Sequence, residues 1–125
     1  MARVLIVDDE QMLREMLQQM LDIEGFETFT ASNGSEALSV FKQCDPDVVV
    51  TDIIMPEKEG LEIIQILKGK KPNLKILAIS GGSYNINVSD ILKMAKALGA
   101  NQALSKPIRR KEFIDTINNL LATDN

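Results

Sequence analysis

The chain has 125 residues, carries 14 Lys and Arg against 18 Asp and Glu, and has a net charge of −4. It contains no histidine and one cysteine, which excludes histidine-based catalytic triads, an intramolecular disulfide and a cysteine zinc cluster. The length suits one domain, and a composition that is 45% hydrophobic and 26% charged is typical of a globular protein. The apolar run Val4–Val7 is too short for a signal peptide or a membrane span, so we expect a cytoplasmic protein.

The hydrophobic pattern alternates along the chain between short apolar runs and stretches with helical spacing. The short runs predict five strands, at 4–7, 27–31, 48–50, 76–79 and 102–104. The helical stretches predict five helices, at 12–23, 35–43, 61–68, 89–98 and 111–122. Asn33-Gly34 is typical of a turn, Ser89 can cap the fourth helix, and Gly25 and Gly99 stand where a helix commonly ends. This alternation predicts one α/β domain with a parallel sheet and helices on both faces.

Polar residues follow four of the five predicted strands. In such a sheet the functional crevice lies at the carboxyl ends of the strands, where these residues would meet. Three carboxylates gathered around one lysine cannot all stay ionised without a further cation, and a hard dication such as Mg²⁺ suits oxygen ligands. Each residue alone has an ordinary explanation as a turn or a cap, but together they predict phosphoryl chemistry. They are Asp8, Asp9 and Glu10; Thr51 and Asp52; Ser80, Gly81 and Gly82; and Ser105, Lys106 and Pro107.

Four separated motifs then resemble, in order and almost from end to end, the receiver domain of two-component response regulators. This resemblance implies a CheY-like fold, a doubly wound five-stranded parallel sheet of order 2-1-3-4-5. The motifs are Val4–Glu10, Asp52–Pro56 with Gly60, Ile79–Gly81, and Gly99-Ala100 leading to Lys106-Pro107.

The resemblance also implies roles for individual residues. Asp52 would be the phosphoacceptor, taking a phosphoryl group from a phosphohistidine on another protein, because this chain has no histidine. Asp52 would also join the ligands of Mg²⁺ or Mn²⁺. The other implied metal ligands are Asp8, Asp9 and the backbone carbonyl of Ile54. The implied contacts of the phosphoryl group are Ser80, Gly81 and Lys106, with Pro107 as a candidate for a cis turn.

The chain departs from the family pattern at several positions. Ala103 stands where the family carries an aromatic ring that moves with the hydroxyl of the fourth strand, and Ile108 replaces a more usual Phe. We therefore hypothesise that output depends on the loop and helix at 81–98. Ile54 and Gly82 stand where the family tunes hydrolysis of the phosphoryl group.

Three further features receive structural interpretations. The methionine series Met12, Met16 and Met20 is predicted to pack in the core along the first helix. The basic run 109–111 is expected to be a solvated surface, and Cys44 a passive thiol near a helix end.

The leading interpretation is a complete phosphoacceptor domain over residues 1–125, with no output domain and no dedicated enzymatic activity. We expect a monomer or weak dimer whose partners are a histidine kinase or phosphotransfer protein and an unidentified target protein, with no nucleic acid and no membrane. Two alternatives remain open: a constitutive interaction module with vestigial phosphorylation, and a receiver fragment of a larger regulator.

Overall fold

The computed structural model describes residues 2–53, 59–80 and 88–122. All ten predicted elements are present, and all of their ends lie within two residues of the predicted positions. The strands are β1 Arg3–Val7, β2 Glu27–Ala31, β3 Val48–Asp52, β4 Lys75–Ser80 and β5 Gln102–Ser105. The helices are α1 Gln11–Ile23, α2 Gly34–Cys44, α3 Glu59–Lys70, α4 Val88–Leu98 and α5 Arg110–Ala122.

The five strands form one parallel sheet in the order β2-β1-β3-β4-β5, which confirms the predicted fold class. The register aligns the carboxyl ends of the central strands. Val7 pairs with Thr51 across β1 and β3, Asp52 pairs with Ile79, and Ser80 pairs with Ser105. Residues that follow these strands therefore lie along one edge of the sheet.

Each face of the sheet carries its own hydrophobic core, because alternate strand residues point to opposite faces. One core joins Leu5, Val49 and Ile76 of the sheet to buried side chains of α2, α3 and α4. The other joins Ile6, Val50 and Leu77 to α1 and α5. Because β3 is buried along its whole length, its continuous apolar run is explained by cover on both faces.

The helix ends confirm two predictions and correct two others. Gly25 and Gly99 have φ values of +92° and +125°, which L side chains rarely adopt, so glycine ends α1 and α4 as predicted. Asn33 is not part of a turn: its side chain caps α2 by accepting a hydrogen bond from the Glu36 N–H at 2.8 Å. Since α4 begins at Val88, Ser89 lies in the first turn of the helix and not at its cap.

The prediction that the methionine series packs in the core is wrong for two of its members. Met12 is 83% exposed and Met16 is 38% exposed, whereas Met20 is partly buried. The core-facing side of α1 is set by Leu17 and Leu21, which are fully buried. At about 100° per residue, Met12 lies about 140° around the helix from Leu17. The methionines do have helical spacing, but the row of side chains that faces the core contains Leu17 and Leu21 and not Met12.

The remaining structural interpretations agree with the coordinates. The basic side chains at 109–111 are exposed, and two of them form surface ion pairs, Arg110 with Glu24 and Lys111 with Asp115. Cys44 is buried at the last position of α2, and its burial raises the pKa of the thiol, which disfavours the reactive thiolate. Within the described ranges, no helix combines the length and the apolar character that crossing a membrane requires.

Candidate functional site

Asp8 lies directly after β1 and is almost fully buried, at 1% exposure. Its backbone continues the ladder, because the Asp8 N–H donates to the Ala31 carbonyl at 3.1 Å. Its carboxylate oxygen Oδ1 accepts a hydrogen bond from the Glu10 N–H at 2.8 Å. The main chain around the carboxyl end of β1 thus holds Asp8 inside the sheet edge, with its second oxygen directed toward the neighbouring strands.

Asp52 is the last residue of β3 and is 3% exposed. The ammonium group of Lys106, which follows β5, donates to Asp52 Oδ2 at 2.8 Å. The main chain supports this pairing, since the Lys106 N–H donates to the carbonyl of Ser80 at 2.8 Å. Three strands therefore contribute to one charge-assisted hydrogen bond.

Lys106 also lies near two further carboxylates. Its Nζ is 3.8 Å from Asp8 Oδ2 and 3.8 Å from Glu10 Oε1. Burial by itself would lower the pKa of Lys106, but the hydrogen bond and charge of Asp52, with the charges of Asp8 and Glu10, raise it above its ordinary value. The lysine is therefore a permanent cation among three acids.

The crowding of acids changes the protonation of Asp8. Burial raises the pKa of Asp8 to about 6, and the charges of Asp52 and Asp9 act in the same direction. The hydrogen bond from the Glu10 N–H and the charge of Lys106 oppose this rise without cancelling it. One lysine is insufficient to neutralise this group of acids, so ionised Asp8 is held at a cost in free energy.

The carboxylates of Asp8, Asp9 and Asp52 each offer an oxygen within 4.8 Å of the others. Within the described part of the chain, Asp8 Oδ2 is buried and has no hydrogen-bond partner. A buried acceptor of this kind is normally satisfied, and a divalent cation would satisfy it while adding the missing positive charge. The residues present therefore fit Mg²⁺ or Mn²⁺.

The other predicted site residues fall into two groups. Ser80 ends β4 fully buried, Ala103 lies partly buried in β5 against the core, and the Lys106–Pro107 peptide bond is cis. The second group lies outside the described residues and comprises Ile54, Gly81 and Gly82.

Sequence reasoning gave no role to Glu10 and did not single out Arg14. Glu10 precedes α1 without forming a side-chain cap and approaches Lys106 instead. The Arg14 guanidinium donates from Nη1 to the Asp8 carbonyl at 2.7 Å. The sequence did contain one signal for Arg14. A cation in the first turn of a helix interacts unfavourably with the helix dipole, which indicates that its side chain makes a favourable contact outside the helix.

A doubly wound parallel sheet with a carboxylate cluster and a lysine at its carboxyl edge defines a class of α/β domains with an acidic site at the strand ends. The comparisons with known proteins identify the family within this class. Residues 4–118 match the family of the response regulator receiver domain. The chain belongs to this family.

Individual relatives agree with that assignment. The response regulator SaeR of Staphylococcus aureus (strain USA300) is 33% identical over 121 residues, which cover 97% of this chain and 51% of SaeR. The chain thus spans about half the length of this relative.

Solved structures match over nearly the whole fold. A response regulator receiver domain protein from Clostridium thermocellum is 30% identical with a TM-score of 0.88, covering 97% of this chain and 94% of its own. The chemotaxis protein CheY4 of Vibrio cholerae is 29% identical with a TM-score of 0.84, covering 96% of this chain and 98% of its own.

Proposed function

We propose that this domain accepts a phosphoryl group on Asp52 and thereby switches its contacts with other proteins. One observation carries the proposal: the buried Asp52 carboxylate is hydrogen-bonded to Lys106 and lies within 4.8 Å of the carboxylates of Asp8 and Asp9. This arrangement supports the proposal, because a carboxylate that can act as a nucleophile, a cation and oxygen atoms that can bind a dication lie close together in a member of the receiver family. Phosphoryl transfer needs mainly this kind of positioning and charge neutralisation.

The donor in this proposal is a phosphohistidine of a histidine kinase or phosphotransfer protein, since the chain itself has no histidine. A carboxylate oxygen of Asp52 forms the new O–P bond while the N–P bond of the donor breaks. The electron pair of the broken bond stays on the imidazole nitrogen. A ring whose other nitrogen carries a proton leaves as neutral imidazole, and a ring without that proton takes one from water at the nitrogen that held the phosphorus. The product is an aspartyl phosphate on this chain and a free histidine on its partner.

Different residues around Asp52 bind the cation and contact the phosphoryl group. Asp8, Asp9 and Asp52 hold the divalent cation, and Mg²⁺ or Mn²⁺, when bound, supplies positive charge that offsets the carboxylates and the phosphoryl oxygens. Lys106 moves its hydrogen bond from Asp52 to a phosphoryl oxygen, a contact that remains charge-assisted. Ser80 offers a hydroxyl from the end of the neighbouring strand.

The switch follows from the same contacts. The Lys106 N–H is bonded to the Ser80 carbonyl, so a displacement at either residue is transmitted to the other strand end. With Ala103 in place of an aromatic ring, the movement passes to the loop and helix after Ser80. The output is a changed contact with a target protein, and the domain is not a dedicated enzyme.

The direct test is phosphorylation with a small donor. The protein is incubated with Mg²⁺ and acetyl phosphate, and its intact mass is measured. We expect the gain of one phosphoryl group that is labile in base. The gain should disappear in Asp52→Asn, because the amide is not a nucleophile, and also when Mg²⁺ is removed by a chelator.

Asp115→Asn is the matched control, since Asp115 is an exposed acid on α5 that pairs only with Lys111 among the described residues. It should gain the phosphoryl group as the wild type does. If the wild type binds Mg²⁺ and gains no mass from acetyl phosphate or from a phosphorylated histidine protein, the phosphoacceptor proposal is wrong and a constitutive interaction module takes its place.

A further inference from the structure

Arg14 connects α1 to the carboxyl end of β1. Its Nη1 donates to the Asp8 carbonyl at 2.7 Å, across six positions of the chain. The side chain is partly buried, and within the described ranges it forms no salt bridge. The distance is that of a strong charge-assisted hydrogen bond. Arg14 therefore uses its charge on a single backbone group beside the acid cluster.

The bonded carbonyl belongs to the peptide between Asp8 and Asp9. The N–H of Asp8 is already held by the Ala31 carbonyl at 3.1 Å. Arg14 adds a fixed point on the other side of the residue, at the position where the ladder of β1 ends. Because the Asp8 N–H belongs to the Val7–Asp8 peptide, the two contacts restrain the peptide planes on either side of Asp8 and limit the directions in which the Asp9 side chain can leave the backbone.

Asp9 depends on this backbone support more than its neighbours do. Asp8 is fixed by the Glu10 N–H and Asp52 by Lys106. The Asp9 carboxylate is exposed and forms no hydrogen bond or ion pair with the described residues, although it lies in the three-carboxylate group. Its place in that group is therefore set by its main chain.

The position of Arg14 supports the same conclusion. Arg14 lies in the first turn of α1, where a positive charge interacts unfavourably with the helix dipole. This turn contains no acidic residue that would reduce the effect. A neutral or acidic side chain would suit the helix better there. The compensating contact is the one with the Asp8 carbonyl.

We propose that Arg14 is a positioning residue for the metal site: it holds the Asp8–Asp9 peptide so that the Asp9 carboxylate stays beside Asp8 and Asp52. This inference rests on the proposed function for its importance, but it concerns cation affinity and can be tested without any phosphodonor. Residues that orient metal ligands commonly change affinity by 10–100-fold when they are replaced.

The experiment measures Mn²⁺ affinity by electron paramagnetic resonance in the absence of phosphodonor. Arg14→Met should weaken Mn²⁺ binding about tenfold, at the lower end of the range for such positioning contacts. Arg14→Lys should restore much of the affinity, because an ammonium group can still donate to the Asp8 carbonyl. A second readout needs no metal: in Arg14→Met the Glu10 amide should exchange its hydrogen faster, because its acceptor Asp8 is less firmly held.

Gln18→Ala is the matched control. It removes the hydrogen bond from Gln18 Nε2 to Thr28 Oγ1 at 3.1 Å, which tethers α1 to β2 without contacting any member of the acid cluster. Urea unfolding of each variant separates a local effect from a loss of stability. If Arg14→Met does not fold, the shorter and uncharged Arg14→Gln is measured in its place, with the same loss of Mn²⁺ affinity expected.

Two results would overturn the inference. One is an Mn²⁺ affinity of folded Arg14→Met, or of the variant measured in its place, that stays within about twofold of wild type, well below the effect of a positioning contact. The other is an equal loss in Gln18→Ala. A failure of the proposed function looks different: the wild type then binds Mn²⁺, Arg14→Met binds it more weakly, and neither protein takes up a phosphoryl group.

Discussion

The two edges of the sheet carry similar charged residues in opposite arrangements. At the amino edge, Arg3 lies 3.6 Å from Glu27, and its N–H donates to Asp47 Oδ2 at 2.8 Å. The side chains of Arg3 and Glu27 are 47% and 49% exposed, and each charge has its own partner. At the carboxyl edge, one lysine serves several acids, two of which are almost completely buried, Asp8 and Asp52.

The charges at the amino edge thus slightly stabilise the folded state, whereas the buried acids at the carboxyl edge lower its stability. Exposed, balanced pairs add little to stability but cost little. Buried acids in excess over their cation reduce stability, and the loss is recovered when a cation arrives. The free energy of unfolding should therefore respond to the ionisation of Asp8 and to Mg²⁺ at the carboxyl edge, whereas a change at the amino edge should not depend on Mg²⁺.

The largest effect is expected from Asp8→Asn in the metal-free protein. Because the folded-state pKa of Asp8 is raised from 3.8 to about 6, its ionised form destabilises the fold above that pH. A difference of this size corresponds to about 3 kcal/mol near neutral pH, and the isosteric amide should recover much of it.

The pH dependence has a defined sign. As pH falls from neutral toward about 4, folded wild type takes up the Asp8 proton before the unfolded chain does, so its stability rises. Asp8→Asn should lack this contribution, while Asp115→Asn, which leaves Asp8 in place, should keep it. Urea unfolding at several pH values measures both. A destabilised Asp8→Asn with the wild-type pH profile would remove the contrast between the two edges.

A smaller effect is expected from Mg²⁺ binding. At a free concentration ten times the dissociation constant, a ligand that binds only the folded state stabilises it by about 1.4 kcal/mol. Thermal unfolding with and without Mg²⁺ should show this gain in wild type and a much smaller one in Asp9→Asn. An equal gain in both proteins would place the cation elsewhere on the molecule.

The smallest effect is expected at the amino edge. Glu27→Gln breaks the ion pair with Arg3, and exposed pairs of this kind contribute less than about 1 kcal/mol. The change in unfolding free energy should be within this limit and should be the same with and without Mg²⁺. A Mg²⁺-dependent change would mean that the two edges are electrostatically coupled through the sheet.

The sequence was sufficient for the fold because each buried strand has a distinctive composition. Val48–Val50 is apolar at every position, as a strand covered on both faces must be. The end of the strand was harder to place. Asp52 belongs to β3 and pairs with Ile79, yet an acid after an apolar run has the composition of a loop. Pairing with β4, which the composition of β3 does not reveal, extends the strand to Asp52.

The site was predictable where residues follow strands and unpredictable where helices contribute. The topology rule gathers Asp8, Asp52 and Lys106 at one edge without any coordinates. Arg14 reaches the same edge from within α1, and its contact depends on the length and direction of its side chain. The exposure of Met12 was not predicted for a similar reason. The helical period alone does not say which row of side chains faces the sheet.

The pairing of Lys106 with Asp52 also has a consequence for how the protein is made. The two residues are separated by 54 positions, and Lys106 follows β5, which lies beside β4 at the end of the described sheet. During synthesis β5 leaves the ribosome after all the other strands. A nascent chain therefore contains Asp8 and Asp52 well before Lys106 is added. Until β5 docks, Asp52 lacks the cation that lies 2.8 Å from its carboxylate in the folded domain. The charge balance at this edge of the sheet is therefore completed only when the last strand docks.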